Sequence, residues 1–75
     1  MESVYVKFNS VEKVKAFVNQ ITGIDSDFDL VSGSIVVDAK SIMGILGMDL
    51  NKVLRLNIHR PNPVVLRELQ PYLAS

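Results

Sequence analysis

Val36-Val37-Asp38-Ala39-Lys40-Ser41-Ile42-Met43-Gly44-Ile45-Leu46 changes its period halfway along. Up to Ala39 the pattern alternates, with Ile35, Val37 and Ala39 on one side, which predicts a half-buried strand over residues 35–39. Beyond Ser41 the apolar residues Ile42, Met43, Ile45 and Leu46 fall at helical spacing. Serine is a preferred helix cap, because its hydroxyl accepts a backbone N–H two or three residues further on. A strand therefore runs directly into a helix that Ser41 starts. Gly44, Gly47 and Asp49 keep that helix short.

Upstream, Ser32, Gly33 and Ser34 read as a turn, and residues 25–31 as a strand with Phe28 and Leu30 inward. The two strands make a hairpin. Asp25, Asp27 and Asp29 alternate along the first of them and read as one solvated face. A calcium loop would need a tight turn with a glycine that this run lacks. Further upstream, Asn9 and Glu12 have capping-box spacing for a helix start. Val11, Val14, Phe17, Val18 and Ile21 then give the helix its apolar stripe, and Gly23 is the expected left-handed stop. Residues 3–8 alternate, with Val4, Val6 and Phe8 against Tyr5 and Lys7, as a half-buried strand does.

Downstream, residues 53–59 form the fourth predicted strand, with Leu54, Leu56 and Ile58 inward and Arg55, Asn57 and His59 outward. Asn62 and Pro63 have the chemistry of a cap and first turn, since proline there loses no needed N–H. Val65, Leu66, Leu69 and Leu73 form the last stripe, and Pro71 is expected to break or kink that helix. The order β-α-β-β-α-β-α describes an α+β fold over a single domain, residues 1–75. An antiparallel sheet with helices on one face is the simplest way to bury every stripe. Val6, Phe17, Phe28, Leu30, Val37, Leu56 and Leu69 are the expected core.

Composition narrows the function classes. At 48% hydrophobic residues the chain is not a disordered one. Lys+Arg and Asp+Glu are balanced at 8 each, and no basic cluster of the kind that nucleic-acid binders carry is present. No cysteine is available for a disulfide or a zinc-thiolate site. No stretch has the length of a membrane span, and the first residues carry no basic-then-apolar signal pattern. The expected compartment is the cytoplasm, without nucleic-acid or membrane partners.

Lys40-Ser41-Ile42-Met43-Gly44 resembles, residue for residue, the most characteristic stretch of HPr, the phosphocarrier of the bacterial sugar phosphotransferase system. Asp38 stands where that family usually has asparagine. The order of elements fits along nearly the whole chain. The resemblance implies an open-faced β-sandwich, with a four-stranded antiparallel sheet in the order 1-4-2-3 and three helices on one face. The departure lies at the first helix. There the family carries its phosphohistidine in a Gly-x-His-Ala-Arg-Pro-Ala type motif, and this chain reads Phe8-Asn9-Ser10-Val11-Glu12-Lys13-Val14. The histidine position falls at about Ser10, the arginine position at Glu12 and the proline position at Lys13. Phosphoryl transfer rests on positioning and charge stabilisation, and Glu12 repels a phosphoryl group where arginine attracts it.

The resemblance points instead to a non-enzymatic regulatory or adaptor role through protein contacts. In the family the serine matching Ser41 is a site for a regulatory kinase, and the following helix presents an apolar patch to partners. Ser41 is thus the candidate phosphorylation site. Lys40, Ile42, Met43, Leu46 and Met48 are the candidate contact residues, with Ile45 buried beneath them. A kinase or a transcriptional regulator is the kind of partner implied. No catalytic residue, metal or cofactor is expected. Two other readings stand beside this one. The single histidine, His59, is the acceptor of an unconventional phosphocarrier, or the chain is a generic α+β binding domain.

Overall fold

The computed structural model describes residues 1–74. Its elements are β1 (Glu2–Val6), α1 (Val11–Thr22), β2 (Phe28–Ser32), β3 (Ile35–Asp38), α2 (Ile42–Leu46), β4 (Leu54–Ile58) and α3 (Pro63–Glu68), followed by a 3₁₀ turn, Gln70–Tyr72. The strands form one antiparallel sheet in the order β1-β4-β2-β3. This α+β arrangement of a four-stranded sheet and three helices is the one expected.

Register shows why the sheet has one dry face. Leu56 lies opposite Val4 on one side and Leu30 on the other, and Leu30 lies opposite Val37. Leu54 pairs with Val6, and Phe28 with Ile58. Opposed residues in a sheet share a face, so these side chains point together toward the helices. The alternate set, Ser3, Tyr5, Asp29, Val31, Val36, Arg55 and Asn57, faces outward and is exposed or half-buried.

Val14, Phe17 and Ile21 of α1, Ile45 of α2, and Val65 and Leu69 at α3 close the core over that dry face. Phe8, Phe17 and Tyr72 meet as an aromatic cluster, with ring centroids 4.9 Å apart for Phe8–Phe17 and 5.3 Å for Phe17–Tyr72. Tilted and edge-on pairs of this kind stabilise beyond their buried area. They join the exit of β1, the middle of α1 and the C-terminal turn. Lys7 N–H donates to Tyr72 O (3.0 Å) and Ala74 N–H to Tyr5 O (2.8 Å), and Val6 bridges to Leu73. The last residues thus clasp the outer edge of β1.

Several local expectations are corrected. Ser10, not Asn9, caps α1, accepting the Lys13 N–H at 3.2 Å. Asn9 is left-handed at φ 65° and donates its N–H to Leu50 O (3.0 Å). Glu12 is one position too early for a capping box counted from Ser10. Gly23 ends α1 in the right-handed region, φ −82°, rather than left-handed. β2 begins at Phe28, not 25, because Ile24 and Ser26 spend their N–H groups in turns to Ile21 O and Ile24 O. Of the three alternating aspartates, only Asp29 belongs to a strand. Ile35 has the inward parity but lies past the cover of the helices and is 56% exposed. Val37 is half-buried rather than buried. The other expected core residues, Val6, Phe17, Phe28, Leu30, Leu56 and Leu69, are all buried. Asn62 caps α3 through its side chain, which accepts Val65 N–H at 2.9 Å, and Pro71 sits in the 3₁₀ turn that follows.

Two measurements check this packing. Phe17→Ala or Leu56→Ala should each cost about 3 kcal/mol in denaturant unfolding, a large share of the stability of so small a domain. Burial holds the Tyr72 phenol above its usual range. The unfolded chain therefore releases that proton first, and the stability it carries is complete below about pH 10 and lost as pH rises beyond it. Tyr72→Phe keeps the ring contacts, so its melting temperature should fall less than the wild type's between pH 9 and 11.5, values that bracket the phenol range at about pH 10.

Candidate functional site

The connection from β3 to α2 is built from three local bonds. Ser41 N–H donates to Asp38 O (2.9 Å), Lys40 N–H donates to the Asp38 carboxylate (2.9 Å), and Ser41 Oγ accepts the Gly44 N–H at 3.4 Å. The first two close a tight turn at Asp38, and the third is a long helix-cap bond. Asp38 thus performs the turn-stabilising bond that Asx side chains make to their own backbone two residues on. Ser41 is exposed, and its hydroxyl proton is not committed to any described residue.

α2 sits close to β3 because of Gly44. A Cβ on that residue would lie 3.3 Å from Val37 Cβ and 3.5 Å from Ser41 Oγ. A side chain there would force Val37 to give by a few tenths of an ångström. Ile45 points into the core and anchors the helix. Met43 is 76% exposed and Leu46 37% exposed, three residues apart and so on one helix face. Ile42 and Met48 are half-buried beside them and pack on the core. The structure therefore brings Ser41, Ile42, Met43, Leu46 and Met48 together around one short helix.

Lys40 is placed differently. Its ammonium donates to Ile24 O (2.9 Å) and lies 5.8 Å from the centroid of the Phe28 ring. The side chain is half-buried and ties the loop after α1 to the start of α2. A cation over an aromatic face is favourable, so this lysine is held in the fold as well as placed beside the helix.

Ser10 and Glu12 begin α1 with Lys13, and Ser10 Oγ is occupied as the cap acceptor. His59 lies elsewhere, just past the end of β4. Its Nε2 donates to Asp29 Oδ2 at 2.7 Å on the open sheet face. Asp29 stands directly opposite Asp38, a like-charge pair that is unfavourable across a ladder. Each carboxylate has its own donor, His59 for one and Lys40 N–H for the other. Ser26, which sequence reasoning did not single out, is buried, and its Oγ accepts the Arg60 N–H at 2.9 Å. It stitches the start of β2 to the exit of β4.

Among the described residues no group of three or more histidine, cysteine or acidic side chains could hold a metal ion. No described helix is long and apolar enough to cross a membrane.

The comparisons with known proteins bear on the fold. No protein-family model matches the chain, and no curated protein matches it in sequence. Solved structures do match. The crystal structure of HPr-C-His from Thermoanaerobacter tengcongensis superposes with a TM-score of 0.78 at 20% identity, over 95% of this chain and 89% of that one. The fold is HPr-like.

The caps order the expected stability changes. The Asn62 bond is short and partly buried, so Asn62→Ala should cost about 1 kcal/mol, whereas the long, exposed Ser41 bond makes Ser41→Ala cost about 0.5 kcal/mol. Chemical denaturation of the two variants side by side checks the order.

Proposed function

We propose that this chain is a non-enzymatic, cytoplasmic relative of the HPr phosphocarriers that works by offering the α2 surface to a protein partner, with phosphorylation of Ser41 as the control. The observation that carries this reading is the exposure of Met43 and Leu46 on one face of a helix whose only buried side chain is Ile45. Methionine suits such surfaces because its unbranched, polarisable side chain adapts to a partner's shape.

The HPr-like fold supports the family reading, and the first helix argues against carriage of phosphate. Ser10 is occupied as a helix cap there, and Glu12 brings negative charge to the place where a phosphoryl group would arrive. A phosphate on Ser41 adds a charge of about −1.5 to −2 beside the apolar patch. The partner that fits the modified form has an apolar groove with an arginine or lysine at its rim. A regulatory kinase is the partner for the unmodified form, and a regulator of sugar-transport genes for the modified one.

Incubation with an HPr kinase and ATP tests this. Label should appear on Ser41 by mass spectrometry and vanish in Ser41→Ala, and Met43→Glu should slow labelling about tenfold, or about 1.4 kcal/mol, with unchanged melting. Enzyme I and phosphoenolpyruvate should leave no acid-labile phosphate on the chain. Absence of Ser41 label while a genuine HPr in the same tube is labelled would refute the proposal. Acid-labile label that disappears in His59→Gln would replace it with a carrier function.

A further inference from the structure

The two edges of the sheet are finished differently. The outer edge of β1 is covered at Tyr5, Val6 and Lys7 by the C-terminal clasp described above. β3 is the other edge, and no described residue pairs with its outer side. Its sequence, Ile35-Val36-Val37-Asp38, is a run of β-branched residues that favours extended pairing. It contains no proline, lysine or bulge of the kind that protects free edges. Ile35 is 56% and Val36 61% exposed.

The direction of the free backbone groups follows from the hairpin. Gly33 and Ser34 form a two-residue turn with Gly33 at φ 60°, and Ser32 lies opposite Ile35. Such a turn is closed by a hydrogen-bonded pair, and pairs then alternate along the ladder. Ala39 N–H donates to Phe28 O (2.9 Å), four residues on, in agreement with that alternation. Ile35, Val37 and Ala39 therefore bond inward to β2. The N–H and C=O of Val36 point away from the sheet, as does the N–H of Asp38, whose carbonyl already accepts Ser41 N–H.

The geometry points to a second copy of this chain as the occupant of this edge, paired antiparallel through β3 about a two-fold axis at Val36. In that register Val36 exchanges both of its free bonds with Val36 of the second copy. The Asp38 N–H meets the Ser34 carbonyl on either side. Ile35 packs beside Val37 of the other copy on the helix face. The only charged side chain of the strand, Asp38, comes opposite Ser34 rather than its own counterpart. A register centred on Val37 would instead pair Val36 with Asp38 and send the Val36 N–H to a carbonyl that already accepts Ser41 N–H. The arrangement centred on Val36 gives the Val36 N–H an unengaged acceptor, and it yields one continuous sheet of twice the width.

Sedimentation equilibrium on the full chain tests the association. The mass should rise from 8.3 kDa toward twice that value in a concentration series reaching about 1 mM, the affinity range of small interfaces. Val36→Pro removes only the outward donor, because the Val36 N–H is not part of the β2 ladder. It should stay monomeric at every concentration with an unchanged circular dichroism spectrum. If that variant fails to fold, Val36→Lys serves, since an edge lysine blocks pairing through its charge. Register is read by cross-linking in a chain that has no cysteine of its own. Val36→Cys should form a symmetric disulfide under mild oxidation, at the Cα spacing of a hydrogen-bonded pair, and Ser34→Cys should not. A wild type that stays monomeric throughout overturns the proposal. So does equal cross-linking of the two cysteine variants. Capture of an extended valine-rich peptide without self-association would also overturn it and give the edge to another protein.

Discussion

Leu56 has an apolar neighbour across the ladder on each side, Val4 toward one edge and Leu30 toward the other, and Val37 completes the row. The side-chain period of a strand is two, so a slip of one residue would turn a whole strand over. Leu54, Leu56 and Ile58 would then face water, and Arg55 and Asn57 would face Phe17 and Ile21. Only registers of this parity leave a dry face, and that face is what the helices cover. The positions of α1, α2 and α3 follow from it, because each has its buried residues on one side only.

The two surfaces of interest are what this arrangement leaves uncovered. α2 is too short to bury all its apolar residues, and Ile45 takes the inward place, so Met43 and Leu46 stay in solvent. β3 is an edge because the sheet ends there. Gly44 of α2 stands against Val37 of β3, so the helix that carries the patch packs beside the edge strand.

The strands and their faces were legible in the sequence because alternation over five residues reports directly on burial. Leu54, Leu56 and Ile58 against Arg55 and Asn57 leave little choice. The helix starts were less legible. Asn9 and Ser10 are both good caps, and the choice between them is made by Leu50, whose carbonyl takes the Asn9 N–H and leaves Asn9 left-handed. Nothing local announces a partner as distant in the chain as Leu50. Asp25 and Asp27 alternate as strand residues do, yet their neighbours Ile24 and Ser26 are bound in turns. At the candidate site, the resemblance to HPr, not the spacing, pointed to Ser41 and the α2 residues as one surface. The Lys40 ammonium was read as part of it, whereas the bend of the chain carries it to Ile24 O. Ile35 shows the same limit. Its parity is right, but parity does not say how far along a strand the covering helices extend.

β4 separates β1 from β2 in space but follows both in the chain. As the polypeptide is synthesised from its N-terminus, β1 has no strand to pair with until Leu54–Ile58 has been made. The β2–β3 hairpin, whose strands are joined by two residues, is the one piece of sheet that forms without waiting. Pairing across so many intervening residues carries a loop-closure cost before any contact rewards it. The sheet can thus be completed only once β4 has been made, and β1 waits longest for its partner.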